Sequence, residues 1–202
     1  MLYLDDFTTG KEISLGHYTV SEKEIIDFAK DYDFQDFHTD PEAAKRSVFG
    51  GLIASGWHTA GICMKLVCQA FMTQTACNGS PGIQDLKWLK PVRPGDTLTG
   101  FVRVTGQLPS KSKPDRGASL QHWALQNQDG DTVFCADVTV LMMRAPKAAE
   151  PVRPAEQAAS TTQASDSQPQ SKAADPSELE KWRAQAQSLW FNDGSCTGGK
   201  SE

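Results

Sequence analysis

Asp33 and His38 stand five residues apart in the run Tyr32-Asp33-Phe34-Gln35-Asp36-Phe37-His38. A carboxylate accepts a proton at neutral pH, and an imidazole both orients a water and passes a proton on, so the two can activate one shared water. The same spacing also fits an aspartate that merely closes a helix and an ordinary loop histidine. A second feature follows in Gly50-Gly51-Leu52-Ile53-Ala54-Ser55-Gly56, a glycine-rich approach to an apolar run. The N–H groups of a helix's first turn have no partner inside the helix, and glycine lets a ligand approach them closely. A carbonyl oxygen gaining negative charge is a fitting occupant, because a helix N-terminus favours anions. Tight packing of helix on sheet would use the same glycines. Ser55, Trp57 and His58 flank Gly56 and are candidate substrate contacts; His58 reads equally well as a packed histidine.

These groups need elements to hold them. Ile13 to Val20 reads as a first strand. Ser21 and Glu24 form a capping box that opens a helix through Lys30, with Ile25, Ile26, Phe28 and Ala29 facing inward. Asp31 to Asp40 reads as a polar loop, and Asp40-Pro41 suits the cap and first position of a short helix. A long helix is expected from Gly56 to Thr73. It is apolar nearly all round, with Lys65 its only charge, so it must be enclosed. His58, Thr59, Lys65 and Gln69 argue against a membrane as the enclosure. The remainder alternates with strand periodicity over Ile83–Trp88, Thr97–Gly106, Ser119–Asn127 and Thr132–Met143, separated by Gly- and Pro-containing turns. One long helix wrapped by a curved antiparallel sheet is the hot-dog arrangement, an α+β fold, and it is expected over residues 1–145.

The rest of the sequence sets bounds. With 202 residues, 39% of them hydrophobic, the chain can build one real core. Acids outnumber Lys and Arg by 25 to 20, which leaves no basic footprint for nucleic acid. The five cysteines, Cys63, Cys68, Cys77, Cys135 and Cys196, form no CxxC pair and lie near no His cluster. They read as reduced thiols in a cytoplasmic protein, with no zinc site. No basic, apolar leader opens the sequence, so no secretory signal is expected. From residue 146 to 175 the composition is that of a disordered linker. Pro176–Phe191 then has helical spacing of Leu179, Trp182, Ala186, Leu189 and Trp190, followed by a Gly-rich tail to residue 202. That helix suits a docking motif, a clamp on its own domain, or a marginal helix with no partner.

The run from Tyr32 to Leu66 resembles the MaoC-type dehydratases, the hot-dog family that includes the (R)-specific enoyl-CoA hydratases. Their signature places an Asp, an Asn-Pro pair and a His in one short loop, then Asp-Pro, a Phe-Gly element and a glycine opening the central helix. Here Asp33, His38, Asp40-Pro41, Phe49-Gly50 and Gly56 match it. Leu89 to Leu98 resembles the family's entry into the sheet, and the likeness spans about residues 10–143. It implies that Asp33 and His38 are the catalytic pair and that the Gly56 N–H holds a thioester oxygen. Water would then add to, or leave, the 2,3 double bond of an enoyl-CoA-type thioester with no metal or redox cofactor. It also implies a homodimer, by analogy with related folds. Lys87, Lys90, Arg93, Lys111, Lys113 and Arg116 become candidate contacts for the CoA phosphates, against a bland role as solvated turn residues. Two positions depart from the pattern: Gln35-Asp36 stands where the family has Asn-Pro, and Met64 where some hydratases have a serine. An acyl-CoA thioesterase and a non-catalytic acyl-thioester binding module are the rival readings. The absence of Asp and Glu from Gly56–Thr73 weighs against a thioesterase that uses a helix acid.

Overall fold

A computed structural model describes residues 1–146, so the linker expected over 146–175, save its first residue, and the tail helix lie outside the described residues. Five strands form one antiparallel sheet: β1 (Glu12–Thr19), β2 (Ile83–Trp88), β3 (Thr97–Pro109), β4 (Arg116–Gln126) and β5 (Thr132–Met143), in the order β1-β3-β4-β5-β2. The long helix α4 (Gly56–Ala70) packs on β1 and β4. A sheet curving around one long helix is the hot-dog fold.

Alternation fixes which face of the sheet the helix meets. Leu98, Val102 and Val104 on β3, and Ala136, Val138, Val140 and Met142 on β5, are buried in one core with Ile62, Cys63, Leu66 and Val67 of α4. Period-two burial of this kind follows from the strand pleat. The β1–β3 register slips between Ser14 and Gly16, where Gly16 has φ +78°, a left-handed conformation that a bulge asks of glycine. The sheet also runs further than the alternation suggests: β3 extends to Pro109 and β4 starts at Arg116, which shortens the basic turn to 110–115.

The short helices form where their caps predict. α1 (Glu22–Tyr32) opens on the full capping box, with the Ser21 hydroxyl accepting from the Glu24 N–H and the Glu24 carboxylate accepting from the Ser21 N–H. α3 (Pro41–Lys45) is capped by Asp40, whose carboxylate accepts from Glu42 and Ala43 N–H at 2.8 and 3.1 Å.

Two expectations need correcting. The segment 31–40 is not all loop: α2 (Asp36–Thr39) forms one helical turn inside it. Nor is α4 enclosed all round by the described residues. Trp57 is 60% exposed and Met64 42%, while the opposite side of the helix is buried. An apolar helix surface calls for cover, but sequence does not say which molecule supplies it. Among the described residues no helix is long and apolar enough to cross a membrane.

Candidate active site

The site forms where the end of α1 meets the start of α4. Asp33 is the C-cap of α1, its N–H bonded to the Ala29 carbonyl at 2.9 Å, and its carboxylate leaves the helix toward Ser55. The Ser55 hydroxyl donates to Asp33 Oδ2 at 2.6 Å, and the Gln35 amide donates to Oδ1 at 2.8 Å. His38 lies on α2 and is buried. Its Nδ1 is 2.8 Å from the Ile53 carbonyl, which makes Nδ1 the protonated nitrogen of the neutral ring and leaves Nε2 as an acceptor. That Nε2 faces Asp33 Oδ2 at 3.4 Å. The two atoms are too far apart for a strong direct bond, yet close enough for one water to touch both.

The segment that holds His38 is itself pinned on both sides. The Ile53 N–H donates to the Phe37 carbonyl at 3.2 Å, and the Ala54 N–H to the Val92 carbonyl at 2.8 Å. Phe37 packs edge-on against the His38 ring, with centroids 4.5 Å apart, and Phe49 packs on Phe37 at 5.1 Å. Arg93 holds this aromatic stack in place, because its guanidinium donates to the Phe49 carbonyl at 2.6 Å.

Opposing influences act on Asp33. Burial, the largest single one, works to raise its pKa. The hydrogen bonds from Ser55 and Gln35 and the nearby His38 act the other way, and the net is a carboxyl held below its ordinary 3.8. The group is therefore ionised throughout the neutral range and can accept a proton there.

Gly56 is the first residue of α4, with Ser55 as the cap whose hydroxyl accepts from the Trp57 N–H at 3.2 Å. The Gly56 N–H is one of the first-turn donors that a helix leaves without an internal partner. A side chain here is excluded by Trp88. A Cβ at position 56 would lie 2.6 to 2.8 Å from three atoms of the indole, whose Nε1 donates to the Gly56 carbonyl at 2.7 Å. Glycine is needed at this position for close approach. The sheet places Trp88 half-exposed over the helix start and edge-on to Trp57 at 5.3 Å. No local signal reveals that contact, because 32 residues separate the partners.

The structure thus brings Asp33, His38, Ser55 and Gly56 together, while the other candidates scatter. Ser55 was expected to touch substrate, but it is fully buried and its hydroxyl serves Asp33 and the helix cap. His58 turns toward α1 and stacks on Phe28 at 4.9 Å. Burial, the largest influence, pulls its pKa below the usual 6.5; Glu24 works to raise it and Lys65 to lower it. Lys90 pairs with Asp131 at 2.6 Å, and Lys87 with Asp85 at 2.7 Å. Lys111, Lys113 and Arg116 sit at the other end of the sheet. Trp88, Phe134, Leu125 and Gly100 lie level across the strands at the site's end, whereas Arg116 pairs with Met143 at the far end. Nine residues of β4 separate the two levels, roughly 30 Å of strand. Arg116 also makes a fork with Asp115, at 2.9 Å on each side. Within one chain these three cations therefore lie at the opposite end of the sheet from Gly56. Burial pushes the Cys63 thiol up to about 12, so the cysteine within α4's core is no nucleophile. No group of three or more potential ligands that could hold a metal occurs among the described residues.

Fold and site together define a hot-dog domain with a carboxylate–imidazole pair at the start of its central helix. The MaoC like domain matches residues 6–122, and the chain belongs to that family. The uncharacterized protein YdeM of Bacillus subtilis is 32% identical over 142 residues, which are 70% of this chain and 99% of that protein. The (R)-specific enoyl-CoA hydratase of Rhodospirillum rubrum is 35% identical over 111 residues, 54% of this chain and 74% of that enzyme. The crystal structure of a MaoC-like dehydratase from Rhodospirillum rubrum superposes with a TM-score of 0.67 at 38% identity, covering 72% of this chain and 99% of that one.

Proposed function

We propose that the protein is a hydro-lyase that adds water to, or removes it from, the 2,3 double bond of an enoyl-CoA-type thioester. The observation that carries this reading is the 3.4 Å gap between Asp33 Oδ2 and His38 Nε2, with both side chains held by further hydrogen bonds, beside the Gly56 N–H at the start of α4. The thioester oxygen accepts from the Gly56 N–H, which draws electron density from C3 toward the carbonyl. Asp33 and His38 hold a water between them. As its oxygen bonds to C3, one of its protons passes to the pair, and the C2–C3 π electrons move toward the thioester. The pair then returns a proton to C2. Water is consumed, one C–O and one C–H bond form, and dehydration is the reverse. Resident metal or redox chemistry is not required, because the thioester itself stabilises the enolate-like transition state.

Two departures from the family pattern bear on this reading. Gln35, where the family has Asn, donates its amide to the Asp33 carboxylate at 2.8 Å. Met64 points to the exposed side of α4 and supplies no hydroxyl. The test is a panel of trans-2-enoyl-CoA thioesters of differing length and substitution, followed by loss of enoyl absorbance with free-thiol release measured alongside. Absorbance loss without thiol is the expected result. Thiol release instead means a thioesterase, and tight binding with neither means an acyl-thioester binding module.

We also propose a homodimer. Trp57 and Met64 on α4, with Ile83 and Trp88 on the edge strand β2 and Leu89 beyond it, are large apolar side chains all more than 40% exposed. Trp57 and Trp88 touch, with ring centroids 5.3 Å apart, and exposed apolar surface of this kind marks an interaction site. Sedimentation equilibrium should give twice the chain mass, and Trp57→Asp should shift it toward the monomer. A parent that sediments as a monomer at every concentration contradicts the proposal.

A further inference from the structure

Ser55 has no part in the chemistry written above, yet it is the one residue bonded both to the carboxylate and to the helix end. We propose that Ser55 is a positioning residue that ties the Asp33 carboxylate to the N-terminus of α4, holding Oδ2 aimed at the shared water rather than contacting substrate. This rests on the hydratase reading of Asp33 and His38.

A serine hydroxyl has one proton to give and two lone pairs to receive. Ser55 gives its proton to Asp33 Oδ2 at 2.6 Å and receives the Trp57 N–H at 3.2 Å. The residue is 0% exposed, so water cannot replace either bond. The two bonds run in series. The positive end of the helix polarises the hydroxyl, and the hydroxyl in turn stabilises the ionised carboxylate. Gln35 holds the other oxygen, so the carboxylate cannot rotate without breaking a bond on each side. The oxygen that Ser55 holds is also the one facing His38 at 3.4 Å. Ser55 thus fixes the position of the proton acceptor within the pair. Its 22-residue separation from Asp33 means that the bond also registers α1 against α4.

Few charged groups compete at this point. From α2 it is His38 that faces Asp33. From α4 the neutral Ser55 faces it, while the electrostatic partners of His58 are Glu24 and Lys65.

The test compares the full-length parent with Ser55→Ala, Ser55→Gly and Ser55→Thr, using a trans-2-enoyl-CoA that the parent turns over. Glycine is accepted at a helix cap, so Ser55→Gly remains informative if Ser55→Ala frays the helix. Loss of the hydroxyl should lower kcat by about tenfold or more, as expected for misplacing a reacting group. KM should stay within about threefold, and threonine should restore much of the rate. The Asp33 carboxyl, followed by carbon NMR, should titrate at higher pH in both hydroxyl-free variants, because a bond favouring the ionised form is gone. An unmoved Asp33 titration overturns the proposal, as does a loss confined to KM, which would make Ser55 a substrate contact. Should the parent turn over no thioester, the hydratase reading fails, and the Asp33 titration still decides the role of Ser55.

Discussion

Asp33→Asn lowers turnover of a trans-2-enoyl-CoA by at least about 100-fold while leaving the fold intact, the scale expected for loss of a general base. The amide matches the carboxylate in shape but differs in two ways. It has no charge with which to take a proton from water, and one of its two ends is a donor. Both carboxylate oxygens of the parent receive hydrogen bonds, from Gln35 and from Ser55. The amide NH2 must therefore face one of these donors, a conflict that a flip of the Gln35 amide relieves by turning its oxygen toward the new donor. Asp33 is only partly buried and caps the end of α1, so this local conflict does not reach the core. The check pairs initial rates from enoyl absorbance with circular dichroism of the same sample. A variant that works within about threefold of the parent removes Asp33 from the mechanism.

His38→Asn is expected to be comparably damaging, and its combination with Asp33→Asn more informative still. The imidazole is anchored through Nδ1 to the Ile53 carbonyl and edge-on to Phe37, and only Nε2 is left to face Asp33. Asparagine can keep a donor near Ile53 but cannot reach the place of Nε2. If the pair acts on one water as a unit, either single change removes the function of both. The double variant should then lose only a few-fold more than the worse single one, since residues that act together are strongly non-additive. Losses that multiply would mean two groups acting independently. His38 is buried, so thermal melts should accompany the rates, with His38→Gln as a second probe if the asparagine variant is unstable.

Much of the scaffold could be read from residue order. Ser21 with Glu24, and Asp40 with Pro41, predicted two helix starts because capping is a local contract between neighbours. β2 and β5 fall where alternation placed them. What stayed hidden depends on contacts between distant segments. α2 is a single turn of four residues, too short for any periodicity to show. Trp88 roofs Gly56 only because the sheet carries the end of β2 to the start of α4. Ser55 looked like a substrate contact beside Gly56, and its bond to Asp33 exists only once α1 and α4 are docked. The cations Lys111, Lys113 and Arg116 are candidate phosphate contacts by residue type, and only the lengths of β3 and β4 show that they lie at the opposite end of the sheet from Gly56. The exposed side of α4 shows the same limit: apolar composition calls for cover without naming what provides it.

One carboxylate–imidazole pair on one side of the bound double bond must deliver both the hydroxyl group and the proton to the same face. Hydration of a trans-2-enoyl-CoA in D2O, with the relative configuration at C2 and C3 read by proton NMR after release of the acid, measures this directly. A single deuterium at C2, added syn to the new hydroxyl, is the outcome expected of Asp33 and His38 acting on one shared water. Anti addition, or deuterium scrambled between both positions at C2, would contradict it.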